Sequence, residues 1–169
     1  MNKKSLLIVA AVILVVLAAA LAWNFFGNQS GVSAGAEAVI RAATTGPNPD
    51  LFDMAAMLQI SSANEEERAA AQEASEKQME NWQTAVGAYF AEGALEQFIN
   101  NGYATGYLAQ AAVGDQTLAL KELTLVEKTD NHESVDFTYT IGEQEFQARA
   151  EFSLGSDGLI SRAEFVAVS

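Results

Sequence analysis

Residues 135–160, VDFTYTIGEQEFQARAEFSLGSDGLI, decide the fold of this chain. Apolar and polar side chains alternate through 135–141 and again through 146–154, and such alternation predicts strands that bury one face. Gly142 lies between the two runs, and the sequence Gly-Ser-Asp-Gly follows the second run at 155–158. Both are typical turn sequences. The stretch therefore predicts an antiparallel hairpin whose second strand turns back into a third.

The residues on either side of this stretch complete the predicted sheet. Leu123 and Leu125 alternate with polar residues within 121–128, and residues 159–168 return as a last strand. Because turn sequences separate all of these runs, each strand is expected to pair with the next one along the chain. Residues 117–168 therefore predict four antiparallel strands in a meander.

Helical periodicity fills the preceding residues, 36–113. Helices are predicted at 36–44, at 50–60 with Asp50 as the N-cap, and from Asn64 onward, where an Asn precedes a long acidic first turn. A helical half followed by a meander predicts an α+β fold, with the helices packed on one face of a curved sheet.

The first 26 residues predict a membrane anchor. Two lysines precede a run from Leu6 to Trp23 that contains no charged residue. A helix of that length spans roughly 27 Å, close to the hydrocarbon thickness of a bilayer. The next basic residue after the run is Arg41, so the positive charges place the N-terminus in the cytoplasm and the rest of the chain outside.

The remaining organisation follows from this topology. Residues 27–35, rich in Gly, Ser and Asn, predict a flexible tether, and 36–169 then form one extracytoplasmic domain. A second interpretation stays open. Ala20 and Ala22 occupy the two small positions of a signal-peptidase site, and cleavage after Ala22 would give a secreted protein.

Charge and cysteine content exclude several classes of function. Of 9 basic residues two lie before the apolar run, so the rest of the chain opposes 7 basic to 22 acidic residues. A body this acidic repels nucleic-acid phosphates and anionic lipid head groups, which leaves a cationic partner open. The chain has no cysteine, which excludes disulfides, thiolate metal sites and a cysteine nucleophile. No metal or cofactor is expected.

The order of elements, ending in SLGSDGLISRAEF at residues 153–165, resembles the NTF2-like (cystatin-like cone) superfamily. It is most similar to the small versions on the outer face of Gram-positive bacterial membranes behind one anchoring helix. The resemblance covers residues 34–169 and implies a conical domain with a pocket between the long helix and the concave sheet face. The family includes isomerases, dehydratases and non-catalytic binding domains. The resemblance assigns no catalytic residue here.

Six residues are candidates for lining such a pocket, because each offers an aromatic face, a hydroxyl or a fixed positive charge: Trp82, Tyr89, Tyr103, Tyr107, Tyr139 and Arg149. The aromatic side chains can equally belong to the core or its rim, and Arg149 can equally form a cross-strand ion pair. His132 is the only histidine and falls in a polar turn sequence, which is poorly placed for catalysis or metal binding.

Three functions are compatible with these observations. The first is a non-catalytic extracytoplasmic module, anchored in the membrane, that binds a protein, a peptide or a small ligand. The second is a small enzyme of the isomerase or hydrolase kind working in the cone pocket. The third is an accessory subunit of a membrane complex, in which the Ala-rich half of the apolar helix, at 18–22, packs against other helices.

Overall fold

The structure, a computed structural model, describes residues 31–168. The anchor predicted at 1–26, with its ends Leu6 and Trp23, lies outside the described residues, as does the cleavage position after Ala22. From residue 31 to residue 168, no helix combines the length and the hydropathy needed to cross a bilayer.

Helices come first and strands second along the described part of the chain. The helices are α1 (Ala34–Ala43), α2 (Met54–Gln59), α3 (Glu65–Val86), α4 (Ala94–Asn100) and α5 (Gly106–Val113), with a 3-10 turn at Gly87–Tyr89. The strands are β1 (Leu118–Lys128), β2 (His132–Ile141), β3 (Gln144–Leu154) and β4 (Ile160–Ala167). They form one antiparallel sheet in the order β1-β2-β3-β4. The predicted α+β class and the four-stranded antiparallel sheet are therefore confirmed.

Each of the first three helices begins after a residue whose side chain caps its N-terminus. Ser33 caps α1 by accepting a hydrogen bond from the Ala36 N–H at 3.2 Å, and α1 thus begins two residues earlier than predicted. Asn64 caps α3, as predicted. The predicted cap Asp50 is wrong, because residues 48–52 close a turn first and Asp53 caps α2 instead.

The two faces of the sheet differ as the alternation predicts. Alternate side chains of β2 and β3 point to the helices and are buried, such as Phe137 opposite Ala148. The side chains between them are polar and face the other side, such as Asp136 opposite Arg149. Trp82 of α3 is fully buried against this core.

The sheet has two distinguishable ends, which we call the entry end and the far end. At the entry end, where β1 turns into β2, the Ser33 N–H donates to Glu133 Oε1 at 2.6 Å and brings the start of α1 onto the sheet. At the far end, where β2 turns into β3, Gly46 exchanges two backbone hydrogen bonds with Leu118, at 2.8 and 3.0 Å. Helix α1 therefore runs from the entry end toward the far end.

Candidate functional site

A cavity of about 590 Å³ lies between the loop after α1 and the end of α5. One wall is the segment from Gly46 to Ala55, and the other runs from Leu108 to Thr117. The Thr117 carbonyl oxygen accepts the Gly142 N–H at 2.8 Å, so this second wall is joined to the turn at the far end of the sheet. The volume is in the range of cavities that hold small ligands.

Apolar side chains supply most of the walls. They are Pro47, Pro49, Phe52, Met54, Ala55, Leu108, Ala111 and Ala112. The polar side chains of the cavity are two carboxylates, two amides and one hydroxyl, from Asp53, Asp115, Asn48, Gln116 and Thr117. None of the fourteen lining residues is basic. The arrangement can hold an apolar body and orient one polar group.

The two carboxylates are held in different ways. Asp53 Oδ1 accepts the Ala56 N–H at 3.0 Å, which fixes the carboxylate at the start of α2. Asp115 has a positive φ of 49°, a left-handed conformation that Asp tolerates better than most residues. Its side chain has no hydrogen-bond or ion-pair partner within residues 31–168. Asp115 is therefore the carboxylate free to meet a ligand.

Helix α2 is the least buried element beside the cavity. None of its residues is fully buried, and Met57 and Leu58 are 45% and 67% exposed. A second cavity, of about 140 Å³, shares Phe52 and Asp53 with the first. The two cavities thus lie against one short helix whose position depends on few buried contacts.

The predicted pocket residues lie elsewhere, and the structure brings only some of them together. Tyr107 and Tyr139 are ring neighbours with centroids 4.7 Å apart. Both belong to an aromatic cluster between the helices and the inner sheet face, whose other members are Phe90, Phe98, Tyr103, Phe137, Phe146 and Phe165. Tyr103 joins it by stacking on Phe98, at 6.2 Å. These rings pack on one another in the region where the cone pocket was predicted.

Burial changes the acidity of two of these tyrosines. It raises the pKa of the Tyr107 hydroxyl far above its ordinary value, and the neighbouring Tyr139 raises it further. The pKa of Tyr139 is also raised by burial. Both hydroxyls are therefore protonated at neutral pH and are available as hydrogen-bond donors.

The other three predicted residues are separate from this cluster. The Trp82 ring is fully buried, and its Nε1–H donates to the Leu51 carbonyl oxygen at 2.9 Å. Tyr89 is half-buried beside α1, where a Cβ added at Gly35 would lie 3.2 Å from its ring. Arg149 lies on the outer sheet face, away from the tyrosine rings.

Arg149 forms the cross-strand ion pair that was one of its two predicted roles. Its Nε and Nη2 atoms contact the two carboxylate oxygens of Asp136 at 2.6 and 3.0 Å. These hydrogen bonds hold the pKa of Asp136 below its ordinary value, although partial desolvation opposes them. The bidentate geometry satisfies the guanidinium within the protein.

His132 and Glu133, next to the predicted turn, make contacts that the sequence did not predict. His132 begins β2 and is half-buried, with its Nε2 3.1 Å from Glu151 Oε2. Glu133 is fully buried and holds Ser33. Its other oxygen, Oε2, has no hydrogen-bond partner among residues 31–168, and Lys128 Nζ lies 3.5 Å away. Glu133 continues the alternation of inward residues in β2, and that signal could have placed it inside.

Sequence reasoning missed the residues that line the 590 Å³ cavity. It gave no functional role to the Gly-Pro-Asn-Pro sequence at 46–49, to Asp53 or to Asp115. The two carboxylates line one cavity only because α5 ends beside the loop after α1, and no local sequence pattern encodes that contact. Within residues 31–168, no group of three or more His, Cys, Asp or Glu residues is placed to bind a metal ion.

Comparison of the chain with protein-family models, with curated proteins and with solved structures gives no match. The fold and the cavity therefore carry the functional argument alone.

Proposed function

We propose that this protein is a membrane-anchored extracytoplasmic module that binds a small ligand without transforming it. The observation that carries the proposal is the cavity at the far end of the sheet, with apolar walls and a few polar groups. Cavities of this size and lining are the usual binding sites of small molecules. An NTF2-like cone, expected from the order of elements, is part of the same proposal.

The position of the cavity suits a tethered receptor. The described part of the chain begins at the entry end of the sheet, where Glu133 holds Ser33. The cavity lies at the opposite end, beside Gly46 and Thr117. If residues 6–23 lie in a bilayer, the cavity opening is on the part of the domain away from the membrane. A ligand can then reach it from the surrounding solvent.

The composition of the cavity favours binding over catalysis. General acid–base chemistry needs two groups that converge on one reacting atom. The lining contains two carboxylates as its titratable groups, and the Asp53 carboxylate already accepts a hydrogen bond as a helix cap. The predicted alternatives, an enzyme working in a cone pocket and an accessory subunit of a membrane complex, stay predictions.

The topology is tested with single cysteines, because the chain has none of its own. Ser156→Cys places a thiol in the exposed β3–β4 turn, and Asn2→Cys places one before the apolar run. In intact cells a membrane-impermeant maleimide should label the first and leave the second unlabelled until the cells are broken. Equal protection of both thiols would refute the extracytoplasmic location. The intact mass of the mature chain separates an anchor from cleavage after Ala22.

Ligand binding is tested by blocking the cavity. Ala112 lines it, whereas Val113, the next residue of α5, is 80% exposed and does not. Ala112→Trp should abolish binding of small amphiphiles to the full chain in zwitterionic lipid nanodiscs, and Val113→Trp is the matched control. Saturation-transfer NMR reports the binding. Equal binding by both variants and the unmodified chain would show that the cavity is not the site.

A further inference from the structure

The charge of the cavity narrows the ligand to one chemical class. We propose, on the basis of the proposed binding function, that the cavity takes a small amphiphilic cation, an apolar body carrying a single ammonium group. Three features of the described residues support this: the apolar walls, the carboxylate of Asp115, and the C-terminal turn of α5, which lines the same cavity.

The walls select the apolar body. Phe52, Met54 and Leu108 line the cavity with the small side chains of Ala111 and Ala112. A ligand that fills this space removes apolar surface from water, which contributes about 25 cal/mol per Å². The face of the Phe52 ring also attracts a cation that approaches within about 6 Å.

Asp115 selects the positive charge. The carboxylate has no partner within residues 31–168, so an incoming ammonium displaces only water from it. Asp53 adds a second carboxylate, and no lining residue supplies an opposing positive charge. An anionic ligand would meet two like charges, and a neutral ligand would leave Asp115 without a counterion from the cavity.

The C-terminal end of α5, like Asp115, favours a positively charged ligand. Helix α5 ends at Val113, and Ala111 and Ala112 lie in its last turn and line the cavity. The C-terminal end of a helix carries a partial negative charge and stabilises cations. The start of α2 also faces the cavity, but its partial positive charge is already met by the Asp53 carboxylate.

Three probes with one carbon framework test the class: phenylbutylammonium, phenylbutanol and phenylbutyrate. The protein is the full chain in zwitterionic lipid nanodiscs, titrated by calorimetry at low salt with empty nanodiscs subtracted. We expect the ammonium to bind about fivefold more tightly than the alcohol and the butyrate to bind more weakly than either, since a solvent-accessible charge pair contributes up to about a factor of five. The advantage of the ammonium should shrink at 0.5 M salt.

Two variants remove one charge each without disturbing the backbone. Asp115→Asn keeps a residue that tolerates positive φ, and Asp53→Ser keeps an N-cap for α2. Each should weaken ammonium binding about two- to fivefold and change alcohol binding by less, so that the preference for the ammonium falls. Asp130→Asn, in the exposed β1–β2 turn at the entry end, is the control and should change neither.

The outcomes separate this inference from the proposed function. Alcohol binding that Ala112→Trp abolishes, without any preference for the ammonium, would support the binding site and overturn its assignment to cations. Tighter binding of the butyrate, or an ammonium preference that survives in both Asp variants, would also overturn it. If none of the three probes binds, both the function and the ligand class are refuted.

Discussion

Glu133 is a carboxylate at a position where the pattern of β2 otherwise holds apolar side chains. It is fully buried, and its Oε1 accepts the Ser33 N–H at 2.6 Å. The neighbouring inward residue, Val135, is also fully buried. Burying a carboxylate is costly unless it is paired or hydrogen-bonded. Here the Ser33 N–H and the ammonium of Lys128 offset that cost, and the hydrogen bond fixes the residue before α1 to the sheet.

Replacing Glu133 should therefore destabilise the fold and release the start of α1. Glu133→Ala removes a hydrogen bond to a charged acceptor and leaves a space in the core, which should lower the free energy of unfolding by about 2–3 kcal/mol. Glu133→Gln keeps an acceptor for Ser33 and should cost less. Thermal unfolding followed by near-UV circular dichroism measures both. Glu127→Ala, at an exposed position of β1, is the control, and an equal effect there would contradict the role of Glu133.

Tyr107 should make stability depend on pH under alkaline conditions. Its folded pKa is raised by burial above the unfolded value of about 10. Because the pKa is higher in the folded state, the stability that the protonated Tyr107 hydroxyl contributes is complete below about pH 10. It is lost as the pH rises above that value. Proton linkage limits the loss of unfolding free energy to about 1.4 kcal/mol per pH unit. The solvent around this half-buried ring makes the loss smaller.

The test compares Tyr107→Phe with the unmodified chain by denaturation between pH 9 and about pH 11.5. The variant keeps the ring contacts to Phe137 and Tyr139 and removes the ionisable hydroxyl. Its stability should fall less steeply above pH 10. Parallel curves for the two proteins would show that the Tyr107 hydroxyl ionises as readily in the folded chain as in the unfolded one.

At the scale of single residues, the sequence predicts which face of a strand a side chain lies on better than it predicts which residue that side chain contacts. The alternation of 135–141 places Phe137 and Tyr139 inward, and both are buried. The same alternation places Arg149 among polar neighbours, but pairing with Asp136 depends on the register of β2 and β3. Asp115 had no local signal at all, because its role depends on where α5 ends relative to a loop some 65 residues earlier in the chain.

Among the elements, the strands were the easiest to predict and the short helix α2 the hardest. Period-two alternation is a property of the strand itself, so it survives without knowledge of tertiary contacts. Helix α2 has six residues and buries none of them fully, and its cap shifted from Asp50 to Asp53. Its start is decided by the turn at 48–52, which packs against α3.

Helix α3 holds that turn through two adjacent side chains of unequal burial. The Trp82 Nε1–H donates to the carbonyl oxygen of Leu51 in the core, and the Asn81 amide donates to that of Asp50 at the surface, at 2.8 Å. A lost hydrogen bond costs more where water cannot replace it. The two residues therefore form a matched pair for one experiment.

Trp82→Phe should lower the free energy of unfolding by about 2–3 kcal/mol, because the smaller ring leaves a space and the Leu51 carbonyl loses its donor. Asn81→Ala should cost less than about 1 kcal/mol. Since the turn leads into the wall that carries Phe52, Trp82→Phe should also weaken ligand binding in the cavity. Thermal unfolding and the phenylbutanol titration measure these effects. Equal destabilisation by both variants would contradict the role of burial.

On the scale of the whole molecule, composition predicts solubility and charge. It does not predict at which end of the sheet α1 begins. The excess of acidic residues is visible in the sequence, whereas the point of the sheet at which α1 begins is not. That point is set by the hydrogen bond between Ser33 and Glu133, which are 100 residues apart in the chain. It places the β1–β2 and β3–β4 turns at the entry end and the β2–β3 turn at the far end.

If the segment before residue 31 anchors the chain in a bilayer, as proposed, this geometry predicts which end of the domain lies nearer to that bilayer. Strand β3 has 11 residues, so its ends are separated by roughly 35 Å. A fluorophore at Ser156→Cys, in the β3–β4 turn, should be quenched more strongly by a head-group-labelled lipid than one at Glu143→Cys, in the β2–β3 turn. Averaging over orientations of the domain reduces this difference without reversing it, because the described part of the chain begins beside Glu133. Stronger quenching at position 143 would place the cavity against the membrane and contradict its access from solvent.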